Sequence, residues 1–128
     1  MFKNNDILKG FLGGFIGGAV VDLVFISLAG PSAFFSLLGI TGRLAVFFSH
    51  LALGAVLGVL FVLISRKLSK FNIWFLGILW GLVCLGIIGG IPACLTNSIT
   101  STTTIFGFVV WLLFALILVS TIKLLDRK

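Results

Sequence analysis

The chain has 128 residues, of which 60% are hydrophobic and only 9% charged, with a mean hydropathy of +1.34. A soluble globule carries roughly 25% charged residues to wet its surface, so the composition excludes a water-soluble enzyme or binding module and requires lipid to cover most of the protein. The net charge of +6 and the pI near 10.0 would suggest nucleic acid in a soluble chain, but here the cations flank apolar segments, where they set orientation and meet anionic headgroups.

Four apolar runs follow one another. The first covers residues 7–29, with Lys3 before it, Lys9 near its start and Asp22 inside it. About 20 residues at 1.5 Å rise cross the hydrocarbon core. With no water there to satisfy the backbone, such a run must be a helix. A cleaved signal peptide is the competing reading of this start, because small residues occur near Ala29. The length of the run and Asp22 argue against it, since signal cores are apolar and about 7–15 residues long. The first connection turns at Gly30-Pro31 and is then half apolar, with Phe34, Phe35, Leu37 and Leu38; it reads as a short helix lying in the interface.

The second run covers residues 44–64 and ends in a basic connector holding Arg66, Lys67 and Lys70. The third covers residues 73–95 and contains both cysteines, Cys84 and Cys94. Ten helical positions are about 15 Å, too far for a disulfide. A turn is expected at Gly90-Ile91-Pro92, followed by the polar Thr96-Asn97-Ser98. The fourth run covers residues 104–124, with the threonines of 100–104 placed to cap it. Of the tryptophans, Trp74 lies near a boundary and reads as an interface anchor, while Trp80 and Trp111 read as packing residues. The 14 phenylalanines read as lipid-facing bulk.

Charge fixes the orientation. Lys3, Lys9, Arg66, Lys67, Lys70, Lys123, Arg127 and Lys128 fall on one side, which is eight of the nine Lys and Arg; Arg43 is the ninth. The positive-inside rule puts both termini in the cytoplasm. The expected fold is therefore all-α: one integral membrane domain, residues 1–128, built as a four-helix bundle. The first span is Gly-rich like the third. Phe11-Leu12-Gly13 with Gly17 matches Phe75-Leu76-Gly77 with Gly81. Two similar helical hairpins related as a parallel repeat would explain this; chance likeness between membrane helices would too.

Glycine spacing predicts how the helices meet. Gly10, Gly14 and Gly18 recur every four residues in the first span, Gly54 and Gly58 in the second, and Gly77 and Gly81 in the third. Small residues at this spacing let backbones approach, so dispersion and Cα–H···O contacts replace the missing hydrophobic drive. Packing within the chain is one use of these faces, and a homodimer seam is the other. The fourth span has few glycines and is expected at the periphery.

Asp22 is the single acid inside a span. It continues the row of Gly10, Gly14 and Gly18, about 11 Å from the outer end of its helix. A charge in the membrane costs at least ~2.5–3.5 kcal/mol, so Asp22 needs a partner, a water-filled cavity or a proton. On the second span Arg43, His50, Gly54 and Gly58 share a face, and His50 lies about 9 Å below the outer boundary. If the two glycine faces pack, Asp22 and His50 meet, with Arg43 able to snorkel toward them. Such a cluster either fixes helix register or carries protons, because histidine titrates near neutrality. Asp6 and Asp126 read as residues of the exposed termini. No GxSxG, HExxH or P-loop is present and no acid stands beside Asp22. No CxxC or Cys/His cluster offers a metal or haem site, and no cofactor is implied.

Small multidrug transporters also carry one acid in the first of four helices, but theirs is normally Glu and the surrounding pattern differs. Fluoride channels share a Gly-rich first helix but have a pore Asn and a Phe-rich motif that this chain lacks. The run Gly10-Phe11-Leu12-Gly13-Gly14, then Leu53-Gly54 leading to Arg66-Lys67, then Phe75-Leu76-Gly77 with Trp80-Gly81, and Pro92 before a Thr/Asn-rich stretch resembles the YqhR-type bacterial membrane proteins. The resemblance covers most of the chain and implies a four-helix fold in a bacterial inner membrane, with no activity. The expected function is thus that of a non-enzymatic accessory or structural component, in contact with lipid, another copy or another membrane protein. The alternative is a small oligomeric proton-coupled transporter or ion channel using Asp22 and His50.

Overall fold

The computed structural model describes residues 4–23, 35, 37–40, 42–97 and 99–127. Expectations for Lys3, Ala29, the Gly30-Pro31 turn, Phe34, Ser98 and Lys128 lie outside these residues, as does most of the first connection. The described chain is all-helical, with no strand among the described residues. Helix α1 is Asn4–Val21, α2 is Arg43–Lys67, α3 is Ile73–Cys84, a short α4 is Ile91–Leu95 and α5 is Ser101–Asp126. A π-helical segment, Leu85–Gly90, joins α3 to α4 without a break, so the third span is one helix, Ile73–Leu95.

Three helices are long and apolar enough to cross a membrane: Arg43–Lys67, Ile73–Leu95 and Ser101–Asp126. The first runs 18 residues as α1 and continues helically through Asp22 and Leu23 to the edge of the described segment.

Local chemistry explains where these helices begin. The Asn72 side chain accepts the Trp74 backbone N–H at 2.9 Å and caps α3, satisfying a donor that has no partner within the helix. Thr100 and Thr103 form a reciprocal capping box on α5: the Thr103 N–H donates to Thr100 Oγ1 at 3.1 Å and the Thr100 N–H to Thr103 Oγ1 at 2.8 Å. The Thr-rich stretch is a cap, as its composition suggests. At its other end α2 closes with Arg66 and Lys67, cations that suit the negative end of the helix dipole.

The expected turn at Gly90-Ile91-Pro92 does not form. Pro92 is buried inside α4 and the helix runs on to Leu95. Proline lacks an N–H and its ring crowds the carbonyl four residues back. The chain meets this by widening just before it: the Ile91 N–H donates to the Gly86 carbonyl, five residues back, in a stretch whose Gly86, Gly89 and Gly90 add no side-chain bulk.

The helices form a bundle in which α1 packs most extensively on α2, next on α5, while α3 packs on α5 and only lightly on α2. Around the bundle the order is thus α2, α1, α5, α3. The core joins Leu57, Phe61 and Val62 of α2, Leu76 and Cys84 of α3, and Phe114, Leu118, Val119 and Ile122 of α5. Phe61 lies against Trp80, ring centroids 6.2 Å apart, and Trp111 meets Phe114 edge-on at 5.7 Å, so both tryptophans do pack. Phe61 and Phe114 are buried, contrary to the reading of all phenylalanines as lipid-facing.

The fourth span is likewise not peripheral. α5 lies between α1 and α3 and contributes Phe114, Ala115, Leu118, Val119 and Ile122 to the interior. The physical reason is that a close contact needs a hole on one helix only. Gly13 and Gly17 of α1 face Leu118 and Phe114, and Gly77 and Gly81 of α3 face Val119, Ala115 and Trp111. The bulky side chains of α5 fill spaces that its neighbours leave.

The α1–α2 contact is of a different kind, glycine on glycine. A Cβ at Gly10 would stand 2.6 Å from the Gly58 carbonyl oxygen and one at Gly18 would stand 3.0 Å from that of His50. At Gly14, which faces Gly54 and Gly58, the space is tighter still. The glycine faces are used within the chain. The two hairpins therefore share a topology but not a closure: α1 and α2 meet backbone to backbone, and α3 and α5 meet glycine to side chain.

Candidate functional site

The glycine seam ends in charge on both sides. On α1 the row of four-residue steps is Asp6, Gly10, Gly14, Gly18, and then Asp22 in the helical continuation past Val21. On α2 the matching row is His50, Gly54, Gly58, Val62, Arg66. The helices run antiparallel, so Asp22 meets His50 and Asp6 meets Arg66. In each row the charged ends lie 16 positions apart (22 − 6 and 66 − 50), about 24 Å of helix. The hydrocarbon core of a bilayer is about 30 Å thick, so this separation is of similar length.

At one end, Asp22 Oδ1 and His50 Nδ1 share a hydrogen bond. The Asp22 side chain is fully buried, while that of His50 keeps 21% of its surface. Asp22 Oδ2 has no hydrogen-bond partner among the described residues. Phe35, from the first connection, is buried and stands edge-on to the imidazole, with ring centroids 4.3 Å apart. With one proton shared, the pair is neutral overall whether it is carboxylate with imidazolium or carboxylic acid with imidazole. That neutrality removes most of the cost of holding an acid at this depth.

The expected cluster of Asp22, His50 and Arg43 is therefore a pair. Arg43 is exposed at the first position of α2 and makes no hydrogen bond or ion pair with Asp22 or His50. Seven residues separate it from His50, about 10 Å along the helix, and hydration of the guanidinium at the boundary competes with any reach inward.

The other end holds more groups than the sequence reading assigned to it. Arg66 donates from Nη2 and Nε to Asp6 Oδ1 at 3.0 and 3.2 Å, and from Nη2 to Asp126 Oδ1 at 3.2 Å. Lys9 Nζ donates to Asp126 Oδ1 at 2.6 Å. Asp6 is buried, so neither it nor Asp126 is a free terminal acid. The network ties the start of α1 to the ends of α2 and α5. Asp126 lies beyond the apolar stretch of α5. Partial burial pushes its carboxyl up, but the Lys9 hydrogen bond and the nearby Arg66 and Lys9 charges outweigh this and hold it below the usual carboxylate range. Beside the network, Lys123 Nζ stands 5.6 Å from the Trp74 ring centroid, a cation–π distance.

The signal for Asp6 and Arg66 was present in the sequence, because both continue the four-residue rows by one or two further steps. Among the described residues no three His, Cys, Asp or Glu side chains converge as metal ligands, and both cysteines are free, Cys84 buried and Cys94 exposed. No family model matches the chain, and no curated protein or solved structure shows significant similarity to it.

Proposed function

We propose that the protein is a non-enzymatic accessory or structural component of a bacterial inner membrane, crossing it four times with both termini in the cytoplasm. It acts by contacting lipid or another membrane protein. The observation that carries this reading is the closed α1–α2 seam. Backbone meets backbone from Gly10 to Gly18, and charge pairs fasten both ends. Such a seam suits a rigid body that offers its outer surface, since it leaves no room for a solute between the two helices. The orientation is supported by the gathering of Lys9, Arg66, Lys67, Lys70, Lys123 and Arg127 at one end, following the positive-inside rule. With the glycine faces occupied inside the chain, any contact with another copy or another protein falls on the side-chain surfaces of α3 and α5 or the outer face of α2.

A second reading is favoured by one observation. The buried Asp22 carboxyl keeps one oxygen without a hydrogen-bond partner among the described residues, beside a partly exposed histidine, an arrangement able to take up and release a proton, as an oligomeric transporter or channel would require. Proteoliposomes distinguish the two. The accessory role predicts proton flux no greater than that of empty vesicles across a pH gradient, with Asp22→Asn and His50→Gln altering stability alone. Flux that disappears in either variant would replace the first reading with the second.

A further inference from the structure

The basic end of the bundle carries more charge than its own acids neutralise. The protein has three acidic side chains, Asp6, Asp22 and Asp126. Asp22 is engaged by His50 at the opposite end. Asp6 and Asp126 are engaged by Arg66 and Lys9. Lys67, Lys70, Lys123 and Arg127 remain at this end, all exposed, and none pairs with a carboxylate among the described residues.

Their placement is specific. Lys67 closes α2 and Lys70 lies in the turn before α3. Lys123 occupies the last turn of α5 and Arg127 follows it. The Lys123–Trp74 contact brings the α5 cations to the start of α3, and an indole at a span boundary marks headgroup level. Phosphate oxygens at that level are the acceptors that ammonium and guanidinium groups lack here. A zwitterionic headgroup carries its own cation and leaves the excess uncancelled.

We propose that Lys67, Lys70, Lys123 and Arg127, at the end of the bundle where Lys123 meets Trp74, form a binding surface for anionic phospholipid of the cytoplasmic leaflet. The proposal rests on the membrane reading given above. The network of Asp6, Lys9, Arg66 and Asp126 engages both acids with Lys9 and Arg66. Each cation near an anionic surface is worth about 1 kcal/mol, roughly fivefold in association.

The test is electron paramagnetic resonance of spin-labelled lipids around the protein in bilayers, comparing phosphatidylglycerol with phosphatidylcholine. The expected result is a preference for phosphatidylglycerol of about fivefold or more, falling toward one in about 1 M salt, where the screening length is about 3 Å. Combined Lys67→Gln, Lys70→Gln, Lys123→Gln and Arg127→Gln should abolish the preference, and Arg43→Gln at the opposite end should leave it intact. Equal association of the two lipids with the wild type, or an unchanged preference in the combined variant, overturns the proposal. Should the combined variant fail to fold, Lys70→Gln in its exposed turn must still lower the preference, and no change there overturns it as well. Failure of the membrane reading looks different: neither lipid would then show a motionally restricted component.

Discussion

The two ends of the α1–α2 seam use one device in two environments. Each end pairs an acid of α1 with a base of α2 at the terminus of a four-residue row. At the Asp22–His50 end the acid is fully buried and has one partner. At the Asp6–Arg66 end the arginine also reaches Asp126, which in turn holds Lys9, and all of these groups but the buried Asp6 are partly exposed. The difference is one of redundancy: several groups fix the register at the Asp6–Arg66 end, and one pair fixes it at the Asp22–His50 end. Between the ends, Gly10, Gly14 and Gly18 lie directly on the α2 backbone, and sliding α1 by one turn would break both pairs at once.

The seam is most sensitive in its middle. Gly14→Leu should destabilise the bundle by about 3 kcal/mol or more, because its side chain would occupy the backbone of Gly54; reversible unfolding in mixed micelles reads this. Gly86→Ala is the control and should be nearly silent, since a Cβ there meets nothing within 4 Å. At the buried end, His50→Leu strands Asp22 and should cost about 3 kcal/mol. The double variant Asp22→Leu/His50→Leu should recover most of that loss, because an apolar pair leaves no uncompensated charge. A double variant as unstable as the sum of its parts would contradict the pairing.

The basic end should respond less. Arg66→Gln removes two contacts of a partly exposed network and should cost about 1 kcal/mol. Its pH dependence has a definite sign. The folded Asp126 carboxyl lies below its ordinary value, so it adds stability above that value, about pH 3.9, and loses it as pH falls through the lower folded value. Comparing wild type with Asp126→Asn should show a small difference at pH 6 that vanishes in strong acid, small because the side chain is about one-third exposed and solvent screens it. Arg43→Gln should change stability by less than about 0.5 kcal/mol.

Much of this seam was legible before the structure, and the reason is periodicity. Gly10, Gly14, Gly18 and Asp22 against His50, Gly54 and Gly58 form two rows of equal step, and an antiparallel pair of helices brings them into register. Asp6 and Arg66 belong to the same rows, yet a charge at a span end reads as solvated unless the row is followed past the apolar run. The central place of α5 was not legible from its own residues. Its fit depends on holes in α1 and α3, at Gly13, Gly17, Gly77 and Gly81, and glycine content alone points to the helix with the hole and not to the one that fills it. The π-helical stretch before Pro92 was missed because Gly-Gly-Ile-Pro signals a turn in water. Here the backbone keeps its hydrogen-bond ladder by shifting to a five-residue step.

Solid-state NMR of the protein in lipid bilayers tests the seam most directly, with Cα-labelled glycine and side-chain-labelled aspartate and histidine. Through-space cross-peaks are expected from Gly14 to Gly54 and Gly58 and from the Asp22 carboxyl to the His50 ring, retained when labelled protein is diluted in unlabelled protein. Their absence, or their loss on dilution, would show that α1 and α2 of one chain do not meet along their glycines and would contradict it.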